Sequence, residues 1–147
     1  MKSDIIKSGI LVLLQVGCLI LIFMSGWPVA RYLPFSIIES SGILLGFWAF
    51  IAMGWRSISI SPMVKQGARL VTRGPYSLIR HPMYLAVLLV VWPLIMDQYS
   101  LLRFIAGAVL TIDLIVKIFY EENLLRKHFS GYDVYMRSTY RMIPFVF

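Results

Sequence analysis

The chain has 147 residues, of which 59% are hydrophobic and only 14% charged, more apolar side chain than a soluble domain of this size can keep out of water. Its formal net charge is +7, but the basic residues gather in particular segments between apolar runs, which is the pattern of a membrane protein and not of a nucleic-acid binder. One cysteine, Cys18, excludes an internal disulfide, and with only His81 and His128 beside it no His/Cys metal-ligand set exists.

The first apolar run covers about residues 5–24 and follows Lys2 and Lys7. It resembles a signal peptide, but WPVA is a poor cleavage site, so the run is expected to stay as a first span with Lys7 snorkelling to the interface. Cys18 lies inside it as a small hydrophobe. A second span is expected over about residues 37–55, where GILLG puts Gly42 and Gly46 at the small-xxx-small spacing that lets helices approach closely.

The third run is short if it starts at Tyr84 and reaches membrane length, about residues 77–96, only by taking in Arg80, His81 and Pro82. Proline is best tolerated in the first turn of a helix. A helix that begins at Pro82 points its unpaired N–H groups at whatever lies beside Arg80 and His81. Non-helical backbone near membrane depth survives only where protein buries it or where it lines a wet cavity. Two readings follow: a polar ligand site, or an interfacial loop whose Arg80 and His81 face headgroups.

The fourth span, about residues 101–120, is reached through the short turn DQYS. Asp113, Lys117 and Glu121 follow at i, i+4 and i+8, one polar stripe on an apolar helix. Ionisable groups at that depth face a bundle interior or a cavity; Asp113 and Lys117 are expected either to pair and lock helix packing or to serve a site. Glu121 and Glu122 have the better claim to a ligand. Antiparallel third and fourth spans bring them to the His81 end.

Residues 121–147 mix charges with Phe129, Tyr132, Tyr135, Tyr140 and Phe145, which suits a helical element at the membrane surface. Leu124, Leu125, His128 and Phe129 fall at helical spacing, with Gly131 placed to end that helix. The expected fold is all-α: one polytopic membrane bundle over residues 1–147, with about four transmembrane helices and a C-terminal interfacial segment. Arg56, Lys65, Arg69, Arg73 and Arg80 lie on one connection and Arg126, Lys127, Arg137 and Arg141 on the tail, against Arg31 alone on the other connections. The positive-inside rule then puts both termini and the long loop in the cytoplasm.

GPYSLIRHPMY, then EENLL, then FSGYDVY and YRMIPF together resemble the isoprenylcysteine carboxyl methyltransferase family, in a group that includes phospholipid methyltransferases. The likeness covers roughly residues 65–147. It implies that S-adenosylmethionine binds between the ends of the last two spans and the tail, touching Arg80, His81, Pro82, Tyr84 and Leu85. It implies further that Glu121 or Glu122 holds the ribose or amino group and that Tyr135 and Arg141 close the pocket. In the chemistry, Arg141 would anchor a substrate carboxylate and Glu122 or Glu121 would take a proton from an amine. The implied acceptor is lipophilic, of the prenylcysteine carboxylate kind, and reaches the site sideways from membrane lipid. A phospholipid amine or a small thiol is the alternative, ahead of an NADPH-dependent sterol-reductase-like protein or a non-catalytic scaffold. Neither a metal nor nucleic acid is implied. Ala86 and Ser130 stand where many relatives carry glycine; both are small and compatible with the cofactor site.

Overall fold

The computed structural model describes residues 2–54 and 70–146, with side chains from residue 6 onward. Arg56, Lys65 and Arg69 of the basic loop, and Trp55 at the expected end of the second span, lie outside the described residues. Among the described residues all regular structure is helical apart from one isolated bridge between Ile79 and Tyr140. The elements are α1 (Lys2–Met24), α2 (Leu33–Met53), a 3-10 turn (Gly74–Ser77), α3 (Pro82–Asp97), α4 (Leu101–His128) and α5 (Tyr132–Arg137).

Two helical stretches, Ile6–Met24 and Leu33–Met53, are long and apolar enough to cross a membrane. Their outer faces carry Leu13, Leu44 and Phe47 exposed, a surface at home in hydrocarbon. α3 is apolar but has only 16 residues, about 24 Å of helix. It starts at Pro82 and not near residue 77, because the preceding backbone bonds elsewhere. α4 runs for 28 residues, through EENLLRKH and past the expected end of the fourth span. Glu, Leu, Arg and Lys are strong helix formers, and Arg126, Lys127 and His128 meet the negative end of the helix dipole. The tail proper therefore begins at Phe129. At the other end of α4, the Ser100 hydroxyl caps the helix by accepting from the Arg103 N–H.

α2 packs on α3 and α1 on α4. Gly42 makes the first contact possible, since a Cβ there would lie 2.8 Å from Leu89 Cβ and 3.0 Å from the Ala86 carbonyl oxygen. Ile22, Val91, Ile95, Leu110 and Leu114 fill the core where α1, α3 and α4 meet. At one end of the bundle Asp97 accepts from the Arg31 and Tyr32 N–H groups, each at 2.9 Å. Gln98 accepts from the Trp27 N–H at 2.8 Å, and buried Arg103 donates to the Gln98 carbonyl at 3.1 Å. RHPMY and EENLL lie together at the opposite end.

Candidate functional site

Between the 3-10 turn and α3, the backbone of Leu78, Arg80 and His81 avoids an α-helix because it is paired with the tail. Gly74 turns the chain at φ +62°, where a Cβ would sit 3.0 Å from Ala52 Cβ, and Pro75 opens the 3-10 turn. The Arg80 N–H then donates to the Tyr140 carbonyl at 2.8 Å and the His81 N–H to the Arg141 carbonyl at 2.9 Å, while the Tyr140 N–H returns to the Leu78 carbonyl at 3.0 Å. The Tyr135 hydroxyl donates to the Tyr76 carbonyl at 2.6 Å. Protein buries Pro75, Tyr76, Ile79 and His81 of this segment, and irregular backbone near membrane depth is tolerated where protein buries it. The interfacial-loop alternative does not describe it, since His81 is only 6% exposed.

The two adjacent glutamates have different surroundings. Glu122 takes Arg80 Nε at 2.8 Å and Arg141 Nε at 3.0 Å, with His81 Nε2 at 3.6 Å, beyond hydrogen-bond reach. Burial pushes its carboxyl up, but His81, Arg80 and Arg141 outweigh burial and hold it down at about 2. Arg80 also donates to the Met136 carbonyl and to the Thr139 carbonyl and hydroxyl. The Arg141 guanidinium lies over the Phe119 ring at 4.9 Å. Glu121 instead accepts one hydrogen bond from the Tyr84 hydroxyl at 3.0 Å and lies 3.6 Å from His81 Nδ1. Its side chain is 28% exposed, against 5% for Glu122. The His81 and Tyr84 rings stack in parallel, 5.4 Å between centroids.

Among the described residues, three buried polar atoms in this region have no hydrogen-bond partner: the Tyr76 and Tyr132 hydroxyls and His81 Nε2, which has only the 3.6 Å contact with Glu122. Both tyrosines lie within electrostatic reach of Glu121. Burial raises both hydroxyls above the ordinary tyrosine range, so they stay protonated and able to donate. Burial likewise pushes Tyr135 up to about 12. Orphaned buried donors are rare in folded proteins and mark places where a polar ligand or water completes the bonding.

The structure brings Arg80, His81, Tyr84, Glu121, Glu122, Tyr135 and Arg141 to one end of the bundle. Pro82 is buried at the start of α3, and half-buried Leu85 closes the first turn through its N–H to the His81 carbonyl. Sequence reasoning assigned no role to Tyr76 or Tyr132, although both lie inside the motifs that drew attention. Nor did it single out Thr139, which Arg80 binds, or Gln15, whose amide is conspicuous in the apolar α1. Asp113 and Lys117 do pair, at 3.3 Å, deeper in the bundle.

An apolar cavity of about 470 Å³ lies between α1, α2 and α3. Its lining runs from Met83 and Phe50 beside the polar end, along Gly46, Ala86 and Val90, to Leu19 and Val91.

A family model described as phospholipid methyltransferase matches residues 35–131, well over half of the chain. The match takes in α2, α3 and α4 with RHPMY and EENLL, and it leaves out α1 and most of the tail. No curated protein matches the chain.

Proposed function

The chain belongs to the phospholipid methyltransferase family, and from that premise we propose that it is a multi-pass membrane enzyme that uses S-adenosylmethionine to methylate a lipid-borne amine. The observation that carries this reading is the division of labour between Glu121 and Glu122. Both arginines of the polar end are paired to Glu122, while Glu121 stands partly open beside His81 and Tyr84. A carboxylate acceptor of the prenylcysteine kind needs a cationic anchor, and Arg141, the residue expected to provide it, is engaged with Glu122. An ammonium headgroup needs a carboxylate, and Glu121 offers one.

The residues present fit the cofactor. It carries hydroxyl, ammonium and carboxylate groups, and the unpartnered Tyr76, Tyr132 and His81 atoms together with Glu121 supply matching donors and acceptors. When bound, it supplies a methyl group on a positively charged sulfur. The protein's share is alignment and exclusion of water. Tyr84 orients Glu121 through a hydrogen bond, and His81, stacked on Tyr84, holds that ring in register. An ammonium acceptor must lose a proton before its nitrogen lone pair can attack. Glu121, and not Glu122 with its strongly depressed basicity, is the carboxylate suited to receive that proton. Arg80, Glu122, Tyr135 and Arg141 serve as the clamp that keeps the tail over the site.

The apolar cavity supports a lipid-borne acceptor, because its lining starts at Met83, beside Pro82, and contains only apolar residues. α3 and α4 are proposed to cross the bilayer with α1 and α2, with both termini on the cytoplasmic side. The test is a labelled-methyl transfer assay on the detergent-purified protein, comparing phosphatidylethanolamine, a prenylcysteine and a small thiol. Methylation of phosphatidylethanolamine alone is expected; transfer to the prenylcysteine alone would overturn the amine reading. Binding of NADPH in place of S-adenosylhomocysteine would overturn the methyltransferase reading.

A further inference from the structure

The apolar cavity begins beside the polar end and finishes on a helix that the family match leaves out. Its walls on α3, from Met83 to Val91, and on α2, from Phe50 to Gly42, are each about 12 Å of helix. That depth approaches half of the ~30 Å hydrocarbon core, the share of one leaflet. The third wall is α1, through Leu19 and Phe23, both half-buried. These two stand away from Pro82. A Cβ on Gly26, one turn beyond Phe23, would lie 2.6 Å from Arg103 Nη1 and 2.8 Å from Gln98 Oε1, at the end of the bundle opposite RHPMY. Leu19 also packs on the core cluster that contains Val91.

α2 packs on α3 and α1 on α4. Among the described residues α1 and α2 are not a packed pair, so the cavity is the cleft between two helix pairs. Ile43 and Phe47 line it and are at the same time 58% and 65% exposed, which puts its mouth on the apolar outer face. Such a cleft suits a hydrocarbon chain, and its volume limits how much enters. A methylene is about the size of a water molecule, whose share of liquid volume is ~30 Å³. The cavity of about 470 Å³ then holds roughly fifteen methylenes, which is one long acyl chain and not two.

We propose that the cavity takes one acyl chain of the acceptor lipid while the other stays in the bilayer, and that Leu19 and Phe23 of α1 set the length of chain accepted. This rests on the reading of the polar end as a site that methylates a lipid amine. It adds a specificity element outside the matched segment, which begins at residue 35. A chain too long for the cleft presses on Leu19 and Phe23 and holds its headgroup away from Glu121, and misplaced reactants lose rate steeply. A chain too short leaves apolar wall uncovered and forgoes the binding of each missing methylene.

The test uses the full chain in detergent micelles with dioctanoyl-, dimyristoyl- and dipalmitoyl-phosphatidylethanolamine, and with palmitoyl-lysophosphatidylethanolamine, which has a single chain. The unaltered protein is expected to methylate the single-chain lipid at a rate close to that of its dipalmitoyl counterpart. Leu19→Phe shortens the cleft and is expected to cut transfer to the dipalmitoyl lipid about tenfold, with the dioctanoyl rate and S-adenosylhomocysteine affinity unchanged. Phe23→Ala lengthens the cleft and moves the optimum to a longer chain. A palmitoyl-lysophosphatidylethanolamine carrying a diazirine at the end of its chain should label residues 19–23. A wild-type chain-length profile in both variants would overturn the proposal, as would labelling confined to outer-face residues such as Leu13 and Leu44. Should Leu19→Phe not fold, an unmoved optimum in Phe23→Ala overturns it equally. Failure of the underlying amine reading looks different: residues 19–23 are labelled, yet the unaltered protein methylates no phosphatidylethanolamine.

Discussion

Arg80, four residues from the Tyr84 that binds Glu121, donates from Nε to the Glu122 carboxylate at 2.8 Å, so the two ends of one motif serve the two adjacent glutamates. The arginine side chain is 6% exposed and the carboxylate 5%. The same guanidinium reaches the Met136 and Thr139 carbonyls. One side chain therefore ties α4, the segment before α3 and the tail together.

Breaking this buried pair from one side leaves an uncompensated charge. Arg80→Ala is expected to destabilise the protein by about 3–5 kcal/mol, read as a lower unfolding temperature in detergent. Arg141→Ala is expected to cost less, because that guanidinium is 30% exposed and solvent screens it. A ranking in the opposite order would refute the clamp.

Glu122 also sets a direction for acid stability. Its folded-state value is about 2, against an ordinary 4.5, so the unfolded chain binds more protons across that window. Its stabilising contribution is complete above about pH 4.5 and is lost as pH falls through about 2. Glu122→Gln should flatten this part of the stability profile. Acid unfolding followed by circular dichroism checks it.

Removing the Tyr76 or Tyr132 hydroxyl takes nothing from the protein's own hydrogen bonding, since neither has a protein partner. Tyr76→Phe and Tyr132→Phe are expected to unfold at or above the wild-type temperature. Each is expected to weaken S-adenosylhomocysteine binding by about fivefold in calorimetry. Unchanged binding in both would separate these hydroxyls from the cofactor.

Glu121→Gln and His81→Ala should also weaken S-adenosylhomocysteine binding, by about tenfold. Glu121→Gln should leave the unfolding temperature nearly unchanged, because Glu121 is partly exposed and the hydrogen bond it accepts from the Tyr84 hydroxyl can be accepted equally by an amide oxygen. Normal binding by both variants would remove these residues from the site.

A side chain at Gly46 would grow into the apolar cavity, its Cβ 3.4 Å from Ala86 Cβ. Gly46→Leu is expected to cut methyl transfer to long-chain lipid by tenfold or more while leaving S-adenosylhomocysteine affinity alone. Equal rates with long-chain and short-chain acceptors in this variant would dissociate the cavity from the acceptor chain.

Much of the bundle was legible from the chain alone. Long apolar runs have few stable forms other than helices in lipid, so α1 and α2 follow from composition, and Pro82 marks the start of α3 because proline suits the first turn. The i, i+4 spacing put Asp113 beside Lys117, and the short DQYS turn made α3 and α4 antiparallel, which brought His81 to Glu121. α4 runs on past residue 120 to His128, because the change from apolar to charged residues at Glu121 does not end a helix.

The partners within the site were decided only by the tertiary structure. Glu121 and Glu122 are the same residue type at consecutive positions, and nothing in local sequence distinguishes them. Consecutive residues on a helix point about 100° apart, so one side chain turns into Arg80 and Arg141 while the other meets Tyr84 and a more open surface. The commitment of both arginines spans 42 residues from Arg80 to Glu122 and 19 from Glu122 to Arg141, and the place of Gln15 depends on α1 packing against α4. Local spacing set the helices and the stripe of charge; long-range packing decided which charges are neutralised and which remain for chemistry.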